Sequence, residues 1–408
     1  MPRTARNPVR LCLFHALQMS LFPMAVLTLF YESVAKMSMA EIMAVQGCFG
    51  LALVALEFPS GYLADRIGYR RALVLAALMS VAGWAVYTLT DGIGGVIVAE
   101  LLLGAAMSFV SGSDSALLYE SLVESDDEAR FSIWNGRLRF WGQVSEGTAA
   151  IAAGSLFAIW VRAPFLVQTL IALAQVWVAW RLVEPRRDEA PEPPSLAHVR
   201  SMFRHTLFEN IRLRAVVAMT ILFGMASFIP VWTIQVYARE DGVPVAWLGP
   251  FWALANYVVA LGALASPRFE RRWGLRGLLI TCLLLVILGY AGLGLAQGLF
   301  GCLFYLALTT MRGLFGPALL HVENRLIRSG NRAGFLSMRS FAFRGLFLLL
   351  GWPVGLAMDQ WGQRPVLLGL GAGLVVVLVI AFRALVRSGA ISDRLETPRY
   401  SESPGKQP

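Results

Sequence analysis

The stretch EFPSGYLADRIGYRR, residues 57–71, sets five charged side chains between two long apolar runs. Two glycines, Gly61 and Gly68, separate these charges. Such a break is typical either of a solvated turn or of a functional loop that joins two membrane-spanning helices. The composition of the whole chain decides whether the setting is a membrane.

The chain of 408 residues is 57% hydrophobic and only 15% charged, with a mean hydropathy of +0.62. Soluble domains carry about 25% charged residues, so the chain is predicted to lie in a membrane along most of its length. Its net charge of +9 fits arginines that flank spans on the cytoplasmic side. No basic domain outside the membrane suggests a nucleic-acid partner. The cysteines lie in apolar runs without CxxC spacing, which predicts neither disulfides nor metal ligands: Cys12, Cys48, Cys282 and Cys302.

Twelve apolar segments of about 20 residues follow one another, at residues 10–34, 41–62, 72–90, 96–120, 138–161, 164–182, 215–238, 247–266, 275–296, 299–322, 334–358 and 365–387. The first is too long for the apolar part of a signal peptide, so we expect an uncleaved span. Arginines concentrate in alternate loops, among them Arg66, Arg70 and Arg71, which places those loops and both termini in the cytoplasm. An all-α integral protein of a cell membrane is therefore predicted.

The spans divide into two halves of six, residues 1–182 and 215–387. Residues 183–214 form a polar, proline-rich linker with an amphipathic helix at its end, and residues 388–408 are predicted to be disordered. Two short motifs occur in both halves: ALL at 116–118 and 318–320, and R-x-G-x-R at 66–70 and 272–276. In transporters, repeated halves of this kind rock around a central site.

Residues 61–71, GYLADRIGYRR, resemble the loop signature G-x-L-A-D-R-x-G-R-K/R-R of the major facilitator superfamily. With twelve spans, a central linker and a weaker copy of the loop after the eighth span, the resemblance covers nearly the whole chain. It implies a gate that locks the two halves on the cytoplasmic side, with Asp65 against the start of the eleventh span. Gly61 would let the second span pack closely on a neighbouring helix. The gate residues so implied are Gly61, Asp65, Arg66, Gly68 and Arg70.

Two further motifs narrow the resemblance. EFPSG at 57–61 and SGSDSALLYES at 111–121 are similar to motifs of bacterial permeases of unassigned substrate. Drug–proton antiporters of the superfamily carry an arginine in the fourth span, in the pattern R-x-x-q-G. The same register, ending at Gly104, places Glu100 at that position, which argues against placing the chain in that group.

A charged side chain at the bilayer centre costs about 2.5–3.5 kcal/mol on insertion scales, so such residues usually face a cavity. The resemblance implies that spans one, four, seven and ten line the cavity and that spans two, five, eight and eleven flank it. Spans three, six, nine and twelve would face lipid. The predicted substrate-binding or coupling residues are Glu32, Asp114, Glu146, Asn256, Arg312 and Arg344.

Several uses of these charges stay open. The deep charges of the first half are acidic and those of the second half are basic. Arg312 and Arg344 could hold an anionic substrate group, or Asp114 or Glu146 could carry a proton. Each arginine could instead bond backbone carbonyls near a helix break.

Structural ion pairs inside the first half are a further alternative. Asp114 could pair with Arg139 on the adjacent span, and Glu120 could pair with Arg137. Either pair would lower the desolvation cost of its charges without any role in transport.

The sequence as a whole predicts secondary active transport of a small organic solute by alternating access, coupled to protons. The sequence contains no Walker loop that would indicate ATP-driven transport and no catalytic motif that would indicate an enzyme. No cofactor is predicted. The expected partners are the solute, protons and the lipid bilayer, and the chain is expected to be a monomer. The resemblance favours efflux. Two alternatives stay open: a proton- or ion-coupled uptake permease for an anionic metabolite, and a ligand sensor that does not transport.

Overall fold

The computed structural model describes residues 3–185, 210–327 and 332–391, which form helices with no β-strand among them. The helices of the first half are α1 Asn7–Met19, α2 Leu27–Ser33, α3 Met39–Ile67, α4 Tyr69–Leu89, α5 Ile93–Val110, α6 Ser113–Val123, α7 Phe131–Ile159 and α8 Ala163–Trp180. Those of the second half are α9 Ile211–Glu240, α10 Val245–Leu295, α11 Gly298–Leu303, α12 Tyr305–Leu326, α13 Arg332–Trp361 and α14 Gln363–Arg387. The all-α prediction is confirmed. The predicted linker helix up to residue 209 and the tail from residue 392 lie outside the described residues.

In the described part of the chain, nine helical segments are long and apolar enough to cross a membrane, and the bent pair α1 and α2 would add a tenth. Helix α7 is not among them, because polar residues such as Gln143 and Glu146 lower its hydropathy. Helix α10 counts once although its 51 residues would extend about 75 Å at 1.5 Å per residue, more than twice the thickness of a bilayer core. Gly274 interrupts it with non-helical angles. The exact number of twelve spans stays a prediction.

Helix α3 begins at a capping box formed by Ser38 and Glu41. The Ser38 hydroxyl accepts the N–H of Glu41 at 3.3 Å, and the Glu41 carboxylate accepts the N–H of Ser38 at 2.8 Å. Two more first-turn N–H groups, of Met39 and Ala40, donate to the carboxylate of Asp359 at 2.8 and 3.0 Å. Asp359 belongs to α13, so a helix of the first half is capped by a residue of the second.

Gly68 and Gly274 each join two helices with the same unusual backbone. Their φ and ψ angles are 97° and 145° for Gly68 and 68° and 171° for Gly274, a region that essentially only glycine adopts. The two glycines are also the central residues of the repeated R-x-G-x-R motif. The backbone therefore repeats at the same two places where the sequence repeats.

The helical bundle has two ends. At one of them, the first helix of each half contacts the residues that follow the last helix of the same half. The Asn7 amide of α1 donates to the carbonyl of Val183, just after α8, at 2.7 Å. Arg212 of α9 donates to the carbonyl of Ser388, just after α14, at 3.2 Å. We call this the terminal end, and the loop at Gly68 lies there. The opposite end, where α2 and α9 end and α3 begins, is called the far end.

Close contacts join the two halves at the far end. A Cβ added to Gly355 of α13 would lie 2.5 Å from the Cα of Ala40. The two helices therefore approach to a distance that only glycine allows. Glu32 of α2 also forms an ion pair with Arg239 of α9. Small residues and polar pairs thus hold the halves together at this end.

Replacing Gly68 by alanine is expected to destabilise the protein strongly. The new Cβ would lie 2.9 Å from the Glu184 carboxylate, and the glycine-only backbone costs about 1–3 kcal/mol. Gly274→Ala should carry the backbone cost alone, since no atom of the described residues lies within 4 Å of its added Cβ. Thermal unfolding in detergent should give the lowest midpoint for Gly68→Ala.

The matched control is Gly136→Ala, because Gly136 lies inside α7 and its added Cβ also meets nothing within 4 Å. Alanine favours a helix interior over glycine by about 0.5–1 kcal/mol, so this variant should unfold no earlier than the unchanged protein. Equal midpoints for the variants at Gly68 and Gly136 would contradict the backbone described for Gly68.

Candidate functional site

A cavity of about 300 Å³ lies between the halves. Helices α1, α3, α4, α5 and α8 of the first half contribute to it, as do α9 and α13 of the second. Its walls are mainly aromatic and aliphatic. The polar side chains that reach it are Gln18, Gln46, Ser80, Glu100, Gln168, Gln175 and Arg344. A mostly apolar pocket with a few placed polar groups is typical of a small-molecule site.

Glu100 is the acidic group of the cavity, and the protein hydrogen-bonds one of its two oxygens. The residue is 4% exposed. Its Oε1 accepts from the hydroxyl of Tyr31 at 2.7 Å, from the amide of Gln46 at 3.3 Å, and from the hydroxyl of Tyr87. Its Oε2 has no hydrogen-bond donor among the described residues. One oxygen of this buried carboxylate is therefore left for a ligand.

Arg344 is the basic group of the cavity. Its side chain packs against Gly50, and its guanidinium carbon lies 5.9 Å from the ring centre of Phe49. Its Nε donates to the Ser340 hydroxyl at 3.3 Å. Within the described ranges no carboxylate lies within 4.0 Å of it, although Glu57 acts on it electrostatically from farther away. The terminal nitrogens of the guanidinium are thus available in the cavity.

Of the six predicted binding or coupling residues, only Arg344 lines this cavity. Glu32 pairs with Arg239 at the far end. Asp114 has an oxygen 3.9 Å from Nδ1 of His15, and both residues belong to the first half. The remaining three residues form a separate group.

That second group joins the halves outside the cavity. The Asn256 amide of α10 lies 3.5 Å from an oxygen of Glu146 in α7. Arg312 of α12 acts electrostatically on the same carboxylate. An acid of the first half and an arginine of the second therefore act on each other across the interface between the halves, from beyond 4.0 Å.

The alternative ion pairs of the first half do not form in the part of the chain that the structure describes. Neither Asp114 and Arg139 nor Glu120 and Arg137 approach within 4.0 Å. The Arg137 guanidinium instead lies 4.7 Å from the ring centre of Trp134, as in cation–π contacts. Arg344 likewise bonds a hydroxyl and not a carbonyl near a helix break.

Sequence reasoning missed Glu100 and two glutamines as cavity residues. In the sequence, Glu100 stands out only because it occupies the position of the arginine that drug–proton antiporters carry in the fourth span. An acidic residue inside an apolar run is itself a signal of function. Gln168 and Gln175 of α8 are 2% exposed and line the cavity. The expectation that the sixth span faces lipid is therefore wrong for the face that carries them. Gln175 donates to the amide oxygen of Gln18 at 3.0 Å.

The predicted gate residues surround the turn between α3 and α4. The Glu184 carboxylate accepts the N–H groups of Tyr69 at 2.8 Å and Arg70 at 2.7 Å. The Arg70 guanidinium donates to the carbonyl of Trp180 at 2.9 Å. Glu184, at the start of the linker segment that follows α8, thus caps the start of α4.

The remaining gate residues have local contacts as well. Asp65 accepts from the Tyr69 hydroxyl at 3.1 Å, and the Arg66 guanidinium lies 4.5 Å from the ring centre of Tyr62. Among the described residues no atom lies within 4 Å of a Cβ added to Gly61, so the close packing expected there stays a prediction. The side chains of residues 332–334, at the expected position of the partner of Asp65, lie outside the described part. The gate stays a prediction.

A family model described as Major Facilitator Superfamily matches residues 11–343. The chain belongs to the major facilitator superfamily. This is a family of transporters, so the chain is a multi-pass membrane protein and not an enzyme. A relative described as uncharacterized MFS-type transporter YxaM, from Bacillus subtilis (strain 168), is 22% identical over 240 residues. That match covers 54% of this chain and 56% of the relative, or about half of its length.

Solved structures of the superfamily share the fold. The nucleoside transporter NupG is 17% identical, with a TM-score of 0.76 over 93% of this chain and 99% of that one. A mutant form of the peptide transporter POT is 13% identical, with a TM-score of 0.74 over 95% of this chain and 96% of that one. At these identities the likeness shows the fold alone.

Removing the Glu32–Arg239 ion pair should make the far end of this transporter more accessible. Thr28 is fully buried and bonds Gln235 across the same contact, so Thr28→Cys in an otherwise cysteine-free chain reports access. The two paired side chains, of Arg239 and Glu32, are 39% and 28% exposed, which limits the pair to about 1 kcal/mol. Arg239→Gln should therefore raise the rate of maleimide labelling about twofold to fivefold.

The control for this measurement is Arg162→Gln. Arg162 forms an ion pair with Asp91 at the same end, but both residues belong to the first half. Its loss removes the same charge without loosening the contact between halves, so the labelling rate should not change. An equal increase in both variants would contradict the assigned role of the Glu32–Arg239 pair.

Proposed function

We propose that this chain moves a small organic solute across a cell membrane by secondary active transport with alternating access. The observation that carries the proposal is the cavity of about 300 Å³ lined by both halves. When two halves of a transporter rock around such a cavity, the cavity opens to one side and then to the other. The polar pairs that join the halves at the far end are partly exposed, and such pairs break at little cost.

We place the terminal end in the cytoplasm. The loops at that end carry the arginines, including Arg66, Arg70, Arg271 and Arg272, and positive charge is retained on the cytoplasmic side. Both termini are then cytoplasmic, and the far end faces outward. The proposed gate at Asp65 would act on the cytoplasmic side. The proposed transporting unit is the single chain.

Proton coupling is proposed at Glu146 in preference to Asp114. The contacts of Glu146 cross between halves, through Asn256 and Arg312, whereas the His15 contact of Asp114 stays within one half. Protonation of Glu146 would remove a charge that attracts the second half. The equilibrium between the two arrangements of the halves would shift as a result.

Export is the proposed direction, on the family resemblance alone. NupG is named as a nucleoside transporter and POT as a peptide transporter. Those substrates are not carried over at 17% and 13% identity. Uptake of an anionic metabolite is the second candidate, because Arg344 offers a guanidinium without a carboxylate within 4.0 Å among the described residues.

Flux in proteoliposomes, with and without an imposed pH gradient, tests the coupling. Glu146→Gln should reduce gradient-driven flux about tenfold while solute counterflow continues, because the uncharged side chain can no longer titrate. Asp114→Asn removes the same charge from a residue whose contact stays within one half. Comparing the two variants shows which of the two carboxylates carries the proton. If flux ignores the gradient and both variants behave like the unchanged protein, proton coupling fails.

The same vesicles separate transport from sensing. Ligand binding without any counterflow would overturn alternating access and favour the sensor. A gradient that drives solute into vesicles, with the orientation known from protease accessibility of the termini, decides between export and uptake.

A further inference from the structure

The cavity contains one acid and one base that are not paired with each other. Glu100 and Arg344 both line it, yet no ion pair joins them within 4.0 Å. The Glu100 Oε1 is occupied by donors from the protein, while Oε2 has none among the described residues. The hydrogen-bond partner of the guanidinium is a hydroxyl, that of Ser340. Each charge therefore has capacity for a partner of the opposite sign.

Glu100 and Arg344 contact neighbouring turns of the same helix, α3. Gln46 of α3 donates to Glu100, and Gly50 of α3 packs against the Arg344 side chain. These two α3 positions are four residues apart, which is about 6 Å of helix rise. A ligand that extends along about one turn of α3 would therefore lie beside both residues. The cavity volume of about 300 Å³ is at the lower end of the range for ligand pockets.

The walls of the cavity are mainly apolar. Trp84 of α4 and Trp232 of α9 line it, together with Phe228. Water-excluding walls make an unpaired charge costly, and a ligand with a single charge would leave either Glu100 or Arg344 without a partner of opposite charge in contact with it. A ligand that carries both charges compensates both residues.

We propose that the cavity binds a small zwitterion, with an ammonium group at Oε2 of Glu100 and a carboxylate at the guanidinium of Arg344. The body of the molecule, apolar or aromatic, packs between Trp84 and Trp232. The donors on Oε1 of Glu100 fix the carboxylate in place, so that Oε2 is presented to the ligand. The inference rests on the proposed transport function only for the statement that this zwitterion is the solute moved.

Glu57 does not remove the need for a ligand carboxylate. It acts on Arg344 from beyond 4.0 Å, and its Oε1 accepts the Ser337 hydroxyl at 2.8 Å. Glu57 thus offsets part of the charge of Arg344 without occupying the guanidinium.

Binding to the unchanged full-length protein in detergent tests the inference with a matched series of probes. Phenylalanine carries both charges, phenethylamine lacks the carboxylate, and 3-phenylpropionate lacks the ammonium group. Alanylphenylalanine and 4-(aminomethyl)benzoate place the two charges farther apart. Calorimetry should give at least one zwitterion an affinity about tenfold or more above both singly charged probes, the scale of one charged hydrogen bond.

Two variants assign the ends of the ligand. Glu100→Gln should weaken the best zwitterion about tenfold or more and leave 3-phenylpropionate unweakened. Arg344→Gln should weaken the same zwitterion to a similar degree and leave phenethylamine unweakened. Glu124→Gln and Arg387→Gln make the same changes at exposed positions and should not alter binding. If either cavity variant fails to fold, the probe series on the unchanged protein decides alone.

The inference is overturned if 3-phenylpropionate or phenethylamine binds as tightly as every zwitterion, or if no zwitterion binds at millimolar concentration. Transport is judged separately. A zwitterion that binds as described but shows no counterflow leaves this inference standing and defeats the proposed function. If the protein instead transports another solute with proton coupling and binds no zwitterion, the proposed function stands and this inference is overturned.

Discussion

Hydrocarbon does not solvate a carboxylate, so a protein in a membrane has to supply the solvation itself. For Glu100 that solvation comes from Tyr31 of α2, Gln46 of α3 and Tyr87 of α4. These helices and α5 must meet at one point, and the bend of 44° between the α1 segment and α2 occurs in the span that delivers Tyr31. The cavity lies beside this point. Its chemistry is asymmetric, since three donors already serve the acid and one hydroxyl serves the base.

Features that depend on nearby residues could be predicted from the sequence. Ser38 and Glu41 are three residues apart, so their capping box can be read directly, and the repeated motif locates Gly68 and Gly274. The donors to Glu100 lie 69, 54 and 13 residues away, and no spacing rule connects them. The direction of a side chain around its helix is similarly hidden. For that reason the family resemblance places the sixth span wholly against lipid. The sequence likewise gathers the acids of the first half around one site, although they lie at three.

The two halves are joined by contacts of different kinds. At the far end, glycine allows the backbones of α3 and α13 to approach closely. Elsewhere on the interface between the halves, Asn256 of α10 and Glu146 of α7 form a polar contact. The turn around Gly68 is instead held by Glu184, at the start of the linker segment that follows α8. Because the Glu184 carboxylate accepts two N–H groups at the start of α4, it restrains the angle between α3 and α4. Any action of Asp65 on the second half would start from that fixed frame.

The position of Asp359 has a consequence for the membrane around the protein. It holds the N–H groups of Met39 and Ala40 at the start of α3 from the other half of the molecule. When the halves part at that seam, these N–H groups lose their acceptor, and acyl chains offer none in exchange. Water or a lipid headgroup can replace the carboxylate, whereas an acyl chain cannot. Parting of the halves at this end therefore requires a polar replacement for Asp359, and the backbone of α3 itself excludes acyl chains from the gap.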